Sequence, residues 1–323
     1  MTDAVRRVVG VSLNAAIDRI AVVDRLVPGG IHRPRLLASV PGGKAANAVR
    51  AAGHLGLRGS VVAVLAGSTG TWYREELAAR EIPLVEVRVP GETRLCTSIL
   101  DASAGRLTEF YERGPALRPG DWPEVERALA AALRDDPTGT VVILAGSLPD
   151  GTPADAYARL VQLAREAGAR SVVDVGGEPL RLAVAARPWL VKVNGEEAAS
   201  VVPGAQPSPT TPAEALAVAD GLRGLGAARV VVTLGAGGAV LRSAEASLIL
   251  GPIPDALLGP YSVGSGDAFT AGLLAGLSRG NALDDALRLA AAAGAASARM
   301  PGQGELDPDE ALRDMAAMQV RHS

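Results

Sequence analysis

The sequence predicts an α/β protein in which helices cover both faces of a mainly parallel sheet. Short runs of β-branched residues alternate with Ala- and Leu-rich stretches along most of the 323-residue chain. The strands that these runs predict are almost continuously apolar, which is typical of parallel strands buried on both faces. Two further segments contain strand patterns without helices, and they predict a second, smaller sheet.

The main elements follow from the position and length of the apolar runs. Short runs bounded by turn residues predict strands at 8–13, 60–65, 141–144, 171–175, 189–193 and 230–234. Longer stretches rich in Ala and Leu predict helices at 45–55, 122–134, 153–167, 212–225, 268–279 and 283–299. The Pro-rich stretch at 202–212 is typical of a loop rather than a linker, so we expect a single domain over residues 1–323.

The smaller sheet is predicted from two segments, at about 18–40 and 93–112. Both lack a good helical pattern, and they contain strand-like runs such as 97–100 and 108–111. Strands inserted between α/β units in this way suggest a lid over a ligand-binding cleft.

Composition and charge weigh against several functional classes. The net charge of −3 gives no basic surface for nucleic acid, and no polybasic run suggests an anionic membrane. No apolar stretch approaches the ~20 residues that span a bilayer, and no signal-type apolar region follows the N-terminus. The single cysteine, Cys96, cannot form an internal disulfide, which fits a reducing compartment. We therefore expect a cytoplasmic protein without nucleic-acid or membrane partners.

The most informative segment is the glycine-rich turn at 263–272, which precedes an apolar helix. The backbone N–H groups of Gly264, Ser265 and Gly266 can converge there, and a helix N-terminus favours an anion. Asp267 would lie in the first helical turn beside that anion, where it could accept the proton of an attacking hydroxyl in phosphoryl transfer. The alternative is an ordinary Asp at a helix start, favoured by the helix dipole.

Polar residues at other turns are candidates for binding a sugar. The turn containing Gly43 and Lys44 lets the backbone approach a ligand closely, and Asn47 could offer its amide to hydroxyl groups. Asp18 and Ser147 follow predicted strands, at the edge where open α/β sheets bind ligands. A simple helix start and turn-forming residues are the alternatives.

Two further turns are candidates for a nucleotide side of the site. Asn194 and Glu197 lie three residues apart at a predicted helix start, where they could hold a hydrated Mg²⁺ ion. The same spacing predicts a helix cap, and the two roles can coexist. Thr233, Gly235 and Gly238 end a buried strand in a glycine turn, which suits either a backbone passing near a nucleotide or a β-turn without a ligand.

Arg33 and Arg94 lie in the two segments of the predicted lid. The guanidinium fork suits a phosphate group, and a solvated surface arginine is the usual alternative. No G-x-G-x-x-G sequence with a downstream acid follows an early strand, which counts against a nicotinamide-dependent oxidoreductase.

Taken in order, these segments resemble the ribokinase-like PfkB carbohydrate kinase family, from about residue 8 to about residue 304. The stretch 263–267 is similar to the family's G-A-G-D signature, with Ser265 in place of Ala. The stretch 41–47 is similar to its G-G-K-G-x-N signature, with Ala45 in place of Gly. The resemblance implies a three-layer α/β/α fold with a small β-sheet lid that often serves as a dimer interface, so we expect a homodimer formed through the lid.

The resemblance also implies roles for the candidate residues. Asp267 would be the general base, and the amides of residues 264–266 would form the anion hole. Asn194 and Glu197 match the family's N-x-x-E element, which is tied to magnesium and phosphate positioning. Lys192 matches a lysine near the nucleotide phosphates, although Val193 replaces the usual proline. The family's nucleotide loop is matched by Thr233, Gly235 and Gly238.

Within the family, the chain most resembles the branch of 1-phosphofructokinases and tagatose-6-phosphate kinases, in short elements at 14–18, 30–33, 93–94, 108–109 and 146–149. In that branch, the arginines of these elements are associated with the phosphate that the substrate already carries. We therefore expect ATP-dependent, Mg²⁺-dependent phosphorylation of a hydroxyl group of a hexose phosphate. A kinase of an unphosphorylated sugar or a nucleoside, and a binding regulator without catalysis, are the alternatives.

Overall fold

Strands and helices alternate along the chain, and the computed structural model describes them over residues 5–323. The strands are β1 (Arg7–Ser12), β2 (Ala16–Val23), β3 (Arg35–Gly42), β4 (Gly59–Leu65), β5 (Leu84–Arg88), β6 (Arg94–Asp101), β7 (Arg106–Tyr111), β8 (Thr140–Ala145), β9 (Arg170–Asp174), β10 (Leu190–Asn194), β11 (Arg229–Thr233), β12 (Ala239–Arg242), β13 (Ser247–Leu250) and β14 (Val320–His322). The helices are α1 (Lys44–His54), α2 (Gly67–Ala79), α3 (Trp122–Ala132), α4 (Ala156–Glu166), α5 (Gly177–Ala185), α6 (Gly195–Ala199), α7 (Pro212–Leu225), α8 (Ser265–Ser278), α9 (Leu283–Ala298) and α10 (Pro308–Asp314). Within residues 5–323, none of the helices has the length and apolar composition that crossing a membrane requires.

The main sheet has ten strands in the order β14-β13-β12-β11-β10-β9-β8-β1-β4-β5. The strands from β11 to β5 pair in parallel, and β12, β13 and β14 add to β11 as antiparallel strands. Successive residues of β1 belong to different apolar clusters: Val8 to the cluster that contains residues of α1, α8 and α9, and Val9 to the cluster that contains residues of α3, α4 and α7. The sheet is therefore covered by helices on both faces, which explains why its strands are so apolar.

The order of the strands places a crevice at one edge of this sheet. From β1 the chain continues to β4 and β5 on one side, and it then crosses to β8, β9, β10 and β11 on the other side. β1 and β8 are neighbours at the point where this order reverses. Open α/β sheets bind ligands outside the carboxyl ends of the strands at such a switch point.

A separate sheet of four strands, here called the lid sheet, has the order β3-β2-β6-β7. β2 pairs antiparallel with β3, with an irregularity between Ile20 and Ala21, and it pairs in parallel with β6. Large apolar side chains of these strands and of the loop between β2 and β3 are exposed: Val27, Ile31, Leu36, Phe110 and Tyr111. The lid sheet therefore has apolar surface that its own chain does not cover.

The predicted fold class is confirmed, both for the mainly parallel sheet and for the separate small one. All six predicted strands and all six predicted helices form, with ends displaced by up to three residues. Four strands and three helices were not predicted: β5, β12, β13, β14, α2, α5 and α10. The missed strands are only three to five residues long, so they carry little periodic signal.

Candidate active site

A cavity of about 730 Å³ lies where the main sheet faces the lid sheet. Its lining includes the last residues of five parallel strands: Ser12, Ala145, Asp174, Asn194 and Thr233. The lid sheet contributes Asp18, Arg94, Cys96 and Tyr111. The cavity therefore lies at the switch point that the strand order defines.

Most of the predicted site residues line this cavity. They are Asp18, Gly43, Lys44, Asn47, Arg94, Ser147, Lys192, Asn194, Glu197, Thr233, Gly264, Gly266 and Asp267. In the part of the chain that the structure describes, four predicted site residues lie outside the lining: Arg33, Gly235, Gly238 and Ser265.

Helix α8 begins at one wall of the cavity. Gly264 precedes it with a φ of +87°, a left-handed conformation that glycine adopts without strain. A Cβ atom at this position would lie 2.8 Å from the Cα atom of Gln303 and 2.9 Å from the nitrogen of Gly304. Both the backbone conformation and the close approach of this neighbouring turn therefore require glycine. Because the first N–H groups of a helix lack acceptors within the helix, the turn is suited to binding an anion.

Asp267 lies in the first turn of α8 and is 6 % exposed. Its Oδ2 atom accepts a hydrogen bond of 3.1 Å from Nδ2 of Asn47. Burial, and after it the negative charge of Asp174, raise the pKa of Asp267 to about 7, against the opposing charges of Lys44 and Lys192. A carboxyl group with a pKa near neutrality is a stronger base than an ordinary carboxylate, and a substantial fraction of it is ionised near neutral pH and can accept a proton from a hydroxyl group.

One amide group connects Asp267 to the lid sheet. The same Nδ2 atom of Asn47 donates to Oδ2 of Asp18, on β2, over 3.2 Å. Asp18 also accepts a hydrogen bond of 3.3 Å from the backbone N–H of Gly43, and burial raises its pKa. A Cβ atom at Gly42 would overlap the Asp18 carboxyl group, so glycine at this position gives the carboxylate its room. The arrangement brings the predicted base and a predicted sugar-binding carboxylate to one amide.

Two lysines meet on Asp174, the last residue of β9. Nζ of Lys192 is 2.7 Å from Oδ2, and Nζ of Lys44 is 3.1 Å from Oδ1. Lys44 is also 3.3 Å from Oε1 of Glu197. Burial alone would raise the pKa of Asp174, but the charges of Lys192 and Lys44 outweigh burial and lower that pKa. The ammonium group of Lys44, which was expected on the sugar side, thus contacts Asp174 at the end of β9 and Glu197 in α6.

Asn194 and Glu197 form a reciprocal helix cap at the start of α6. The N–H of Glu197 donates to Oδ1 of Asn194 over 2.8 Å, and the N–H of Asn194 donates to Oε2 of Glu197 over 3.0 Å. The cap that the spacing predicts therefore forms, and it leaves Oε1 of Glu197 facing Lys44. Among the described residues, no group of three or more acidic, histidine or cysteine side chains is placed to hold a metal ion.

The lid sheet contributes Arg94 to the cavity. Its guanidinium group donates to the carbonyl oxygens of Asn14 and Glu112, over 3.2 and 3.4 Å. Its Nε atom is buried and lacks a hydrogen-bond partner within residues 5–323. Nδ2 of Asn14 donates to the hydroxyl oxygen of Ser147 over 2.9 Å. Arg33, by contrast, is exposed in the loop between β2 and β3, so only one of the two predicted phosphate-binding arginines lines the cavity of its own chain.

The predicted nucleotide turn lies beside the cavity. Thr233 lines the cavity and donates to the carbonyl oxygen of Val193 over 3.4 Å. The turn Gly235–Gly237 is exposed, and Gly238 follows it with a φ of +101°. A Cβ atom at Gly238 would overlap the carbonyl oxygen of Leu250, so the packing of the turn itself requires this glycine.

Comparison with known proteins identifies the family. The model of the pfkB family carbohydrate kinases matches residues 8–310. The chain belongs to this family. The 1-phosphofructokinase of Rhodobacter capsulatus is 35% identical to it over 287 residues, which are 88% of each chain. The 1-phosphofructokinase of Bacillus subtilis is 30% identical over 288 residues, covering 89% of this chain and 91% of that relative.

A solved structure has the same fold. Phosphofructokinase-2 from Escherichia coli, in complex with substrates and products, matches with a TM-score of 0.87 and 27% identity, over 97% of this chain and 99% of that one. These findings confirm the resemblance that the two glycine motifs indicated, and they make the chain a carbohydrate kinase. Membership of a kinase family implies ATP as the phosphoryl donor.

Asp174 is the main site residue of this pfkB protein that sequence reasoning missed. The sequence contains one signal for it, a carboxylate directly after an apolar run, at the end of β9. Asp18, which was predicted just beyond the end of the first strand, lies instead within β2 of the lid sheet, because a second strand begins only four residues after β1 ends. The two lysine partners of Asp174 could not be predicted, because they come from other elements.

Arg50 was also missed, and it supports the site from behind. It is buried, its Nε atom is 3.0 Å from Oε1 of Glu305, and one Nη atom donates to Oδ1 of Asn47 over 3.2 Å. The guanidinium group also donates to the carbonyl oxygens of Pro41 and Gln303. Nothing in the sequence distinguishes this helix arginine from the many others.

Proposed function

We propose that this kinase transfers the γ-phosphoryl group of ATP to a hydroxyl group of a hexose phosphate, with Asp267 as the general base. One observation carries the proposal: the buried Asp267 carboxyl group, with a pKa of about 7, lines the cavity beside a glycine-rich helix start. Such a base can take the proton of a hydroxyl group as it attacks a phosphoryl group. The relatives named 1-phosphofructokinase and phosphofructokinase-2 support a hexose phosphate as the acceptor.

The sugar would bind between the lid sheet and the end of β8. Asp18 and Asn47 offer a carboxylate and an amide to its hydroxyl groups, beside the backbone of Gly43. Ser147 and Arg94 lie toward its other end, where the unpaired Nε of Arg94 is available to a phosphate oxygen. We assign Arg33 to the same phosphate, which it can reach only if its loop moves or a second copy presents its lid sheet.

The nucleotide phosphates would lie along the start of α8. The N–H groups of Gly264, Ser265 and Gly266 would form the anion hole for the transferred group. Lys192 lies close to this turn, since its Nζ is 2.9 Å from the position that a Cβ atom of Gly266 would take. The remaining residues assigned to the nucleotide are Asn194, Thr233, Gly235 and Gly238.

Glu197 and Asn194 are assigned to Mg²⁺ through water, together with Asp174. Oε1 of Glu197 and Oδ1 of Asp174 fit such an ion, because they already share the Lys44 ammonium, and Mg²⁺ prefers carboxylate oxygens while retaining water. When bound, the ion supplies positive charge to the phosphate oxygens. Asn194 acts on Glu197 through the helix cap, which fixes the carboxylate in place.

We also propose that two copies form a homodimer through their lid sheets, in the cytoplasm. Ile31, in the loop between β2 and β3, is 88 % exposed, and Phe110 and Tyr111 of β7 are also exposed. Apolar surface of this kind is typical of an interaction site. Cys96, the single cysteine, is buried and unpaired, which is compatible with a reducing compartment. Light scattering on the protein and on Ile31→Glu should give a dimer and a monomer, respectively.

A coupled assay of ADP release tests the acceptor. Fructose 1-phosphate, fructose 6-phosphate, tagatose 6-phosphate, ribose and nucleosides are compared at equal ATP. We expect at least one hexose phosphate to be used with the highest kcat/KM of the set. A preference for ribose or for nucleosides over every phosphorylated sugar would contradict the proposed acceptor, while the assignment as a carbohydrate kinase would stand.

A further inference from the structure

Lysine is rare in this chain, and both lysines are in the candidate site. Of the 32 lysine and arginine residues, only Lys44 and Lys192 are lysine. Both bind one carboxylate, that of Asp174, with N–O distances of 3.1 and 2.7 Å. Lysine differs from arginine in carrying a compact point charge on a flexible stem. The pattern indicates that the cluster around Asp174 needs compact cations rather than guanidinium forks.

The two lysines differ in their freedom to move. The side chain of Lys192 is 6 % exposed, whereas that of Lys44 is 41 % exposed at the start of α1. Lys44 bridges two carboxylates from different elements, since its Nζ is 3.1 Å from Oδ1 of Asp174 and 3.3 Å from Oε1 of Glu197. Two carboxylate oxygens that share one ammonium group could equally share a divalent cation.

Lys44 and Lys192 already occupy the carboxylates that they contact, those of Asp174 and Glu197. The buried Asp267 carboxyl group interacts with both lysines and adds a negative charge when it is ionised, so the occupied oxygen atoms, rather than a lack of negative charge, keep a further cation out. A divalent cation drawn to Asp174 and Glu197 would have to displace Lys44, and repulsion between like charges a few ångströms apart opposes its entry. A nucleotide removes this obstacle, because its phosphate oxygens offer the displaced ammonium group new anionic partners.

We propose that Lys44 is the resident counter-ion of Asp174 and Glu197 and competes with divalent cations for their oxygen atoms. The protein then takes up such a cation tightly only together with a nucleotide, when Lys44 moves from the carboxylates to phosphate oxygens. The inference rests on the proposed assignment of Asp174 and Glu197 to magnesium. Its test measures cation binding rather than turnover, so that it can fail while the kinase assay succeeds.

Binding of Mn²⁺ to the nucleotide-free protein, followed by the electron paramagnetic resonance signal of the free ion, measures the competition. Lys44→Met removes the charge and keeps the length of the side chain. We expect this variant to bind Mn²⁺ about tenfold more tightly than the unaltered protein, a change of about 1.4 kcal/mol. Glu197→Gln added to Lys44→Met should abolish the gain, because the second oxygen ligand loses its charge.

Arg127→Met is the matched control. It removes an exposed positive charge that pairs with Glu124 on α3, and it should leave the Mn²⁺ affinity unchanged. Equal Mn²⁺ affinities of Lys44→Met and the unaltered protein would overturn the proposal. So would a gain in Lys44→Met that persists when Glu197→Gln is added, since the cation would then bind elsewhere.

Nuclear magnetic resonance of the unaltered protein gives a second test that needs no stable variant at Lys44. Labelling lysine with ¹³C at Cε should give two side-chain signals, which Lys192→Arg assigns. Mg²⁺ alone should leave the Lys44 signal in place, and Mg²⁺ with a non-hydrolysable ATP analogue should shift it. A signal that Mg²⁺ alone shifts as far, or that the analogue leaves in place, would refute the competition. If the protein phosphorylates a sugar phosphate but fails these tests, the proposed competition is wrong and the proposed kinase function stands.

Discussion

Replacing Asp267 by Asn should change catalysis and stability in opposite directions. The Asn side chain keeps the shape of the carboxyl group and can still accept the hydrogen bond from Asn47, but it cannot accept a proton. We expect kcat to fall at least ~10²-fold, the usual contribution of a general base. ATP affinity should hardly change, because Asp267 acts on the acceptor hydroxyl.

The stability change follows from the raised pKa of Asp267. The folded protein holds this carboxyl group with a pKa of about 7, against an ordinary value of 3.8. The folded state therefore keeps the proton where the unfolded chain has lost it, so the stability from this group is complete below pH 4 and is lost as pH rises through about 7. A pKa raised from 3.8 to about 7 corresponds to a difference of roughly 4 kcal/mol between the two protonation states.

Urea unfolding of the two proteins at pH 5 and pH 8 measures this difference. Since Asn does not ionise, Asp267→Asn should be the more stable protein, and its advantage should be larger at pH 8 than at pH 5 by roughly 2–3 kcal/mol. The kcat/KM of the unaltered enzyme should fall as pH drops below about 7, where Asp267 is protonated. An advantage of equal size at both pH values, or a near-normal turnover of Asp267→Asn, would refute the reasoning.

Three further predictions concern the groups around the base. Arg94→Ala should raise KM for the sugar phosphate about tenfold and leave KM for ATP unchanged, because a charge-assisted hydrogen bond contributes roughly 1.5–3 kcal/mol. Arg94→Lys should recover part of the lost affinity. An unchanged KM of Arg94→Ala for every sugar phosphate would contradict the assignment. Arg33→Ala should raise the same KM by a similar factor, and an unchanged KM would remove Arg33 from the phosphate site. EDTA should stop the reaction, and added Mg²⁺ should restore it. Glu197→Gln should increase the Mg²⁺ concentration needed for half-maximal rate. If that concentration is unchanged, Glu197 serves only as a helix cap. Arg50→Met should lower the free energy of unfolding in urea titrations by roughly 3–5 kcal/mol, because Glu305 and two backbone carbonyl groups lose a buried cationic partner. A decrease below about 1 kcal/mol would contradict a structural role for Arg50.

The fold was predictable where a segment carries its own signal. The strands of the main sheet that line the cavity are mostly apolar runs, and α8 and α9 are long apolar stretches. Helix α2 was missed because it contains two glycines and lacks a clear apolar stripe. Its N-terminus is held instead by Glu92, whose carboxylate accepts hydrogen bonds from the N–H and the hydroxyl of Thr69. That cap comes from more than twenty residues away, so local periodicity could not reveal it.

The site was predictable to the extent that it lies in short motifs. The glycine turns and the spacing of Asn194 and Glu197 are local, and the helix cap they predict forms. The contacts of Lys44 are not local, because its partners Asp174 and Glu197 follow strands that lie far along the chain. The sequence placed Lys44 on the sugar side because it stands in the same turn as Gly43, and only the fold shows which way its ammonium group points. For Arg33 the short sequence element predicted a place in the site, but the residue lies outside the lining of the cavity.

The hydrogen bonds behind Asp267 explain how the chain holds its carboxylate in a buried position. Its hydrogen-bond donor Asn47 is itself fixed, because Arg50 binds Oδ1 of that amide and so sets which atom faces the two carboxylates. The same guanidinium group holds the carbonyl oxygen of Gln303, and the turn that follows packs against Gly264 at the start of α8. One buried cation therefore orients the donor to the base and also backs the turn assigned as the anion hole. A change at Arg50 should consequently affect proton acceptance and phosphate binding together, although Arg50 does not line the described cavity.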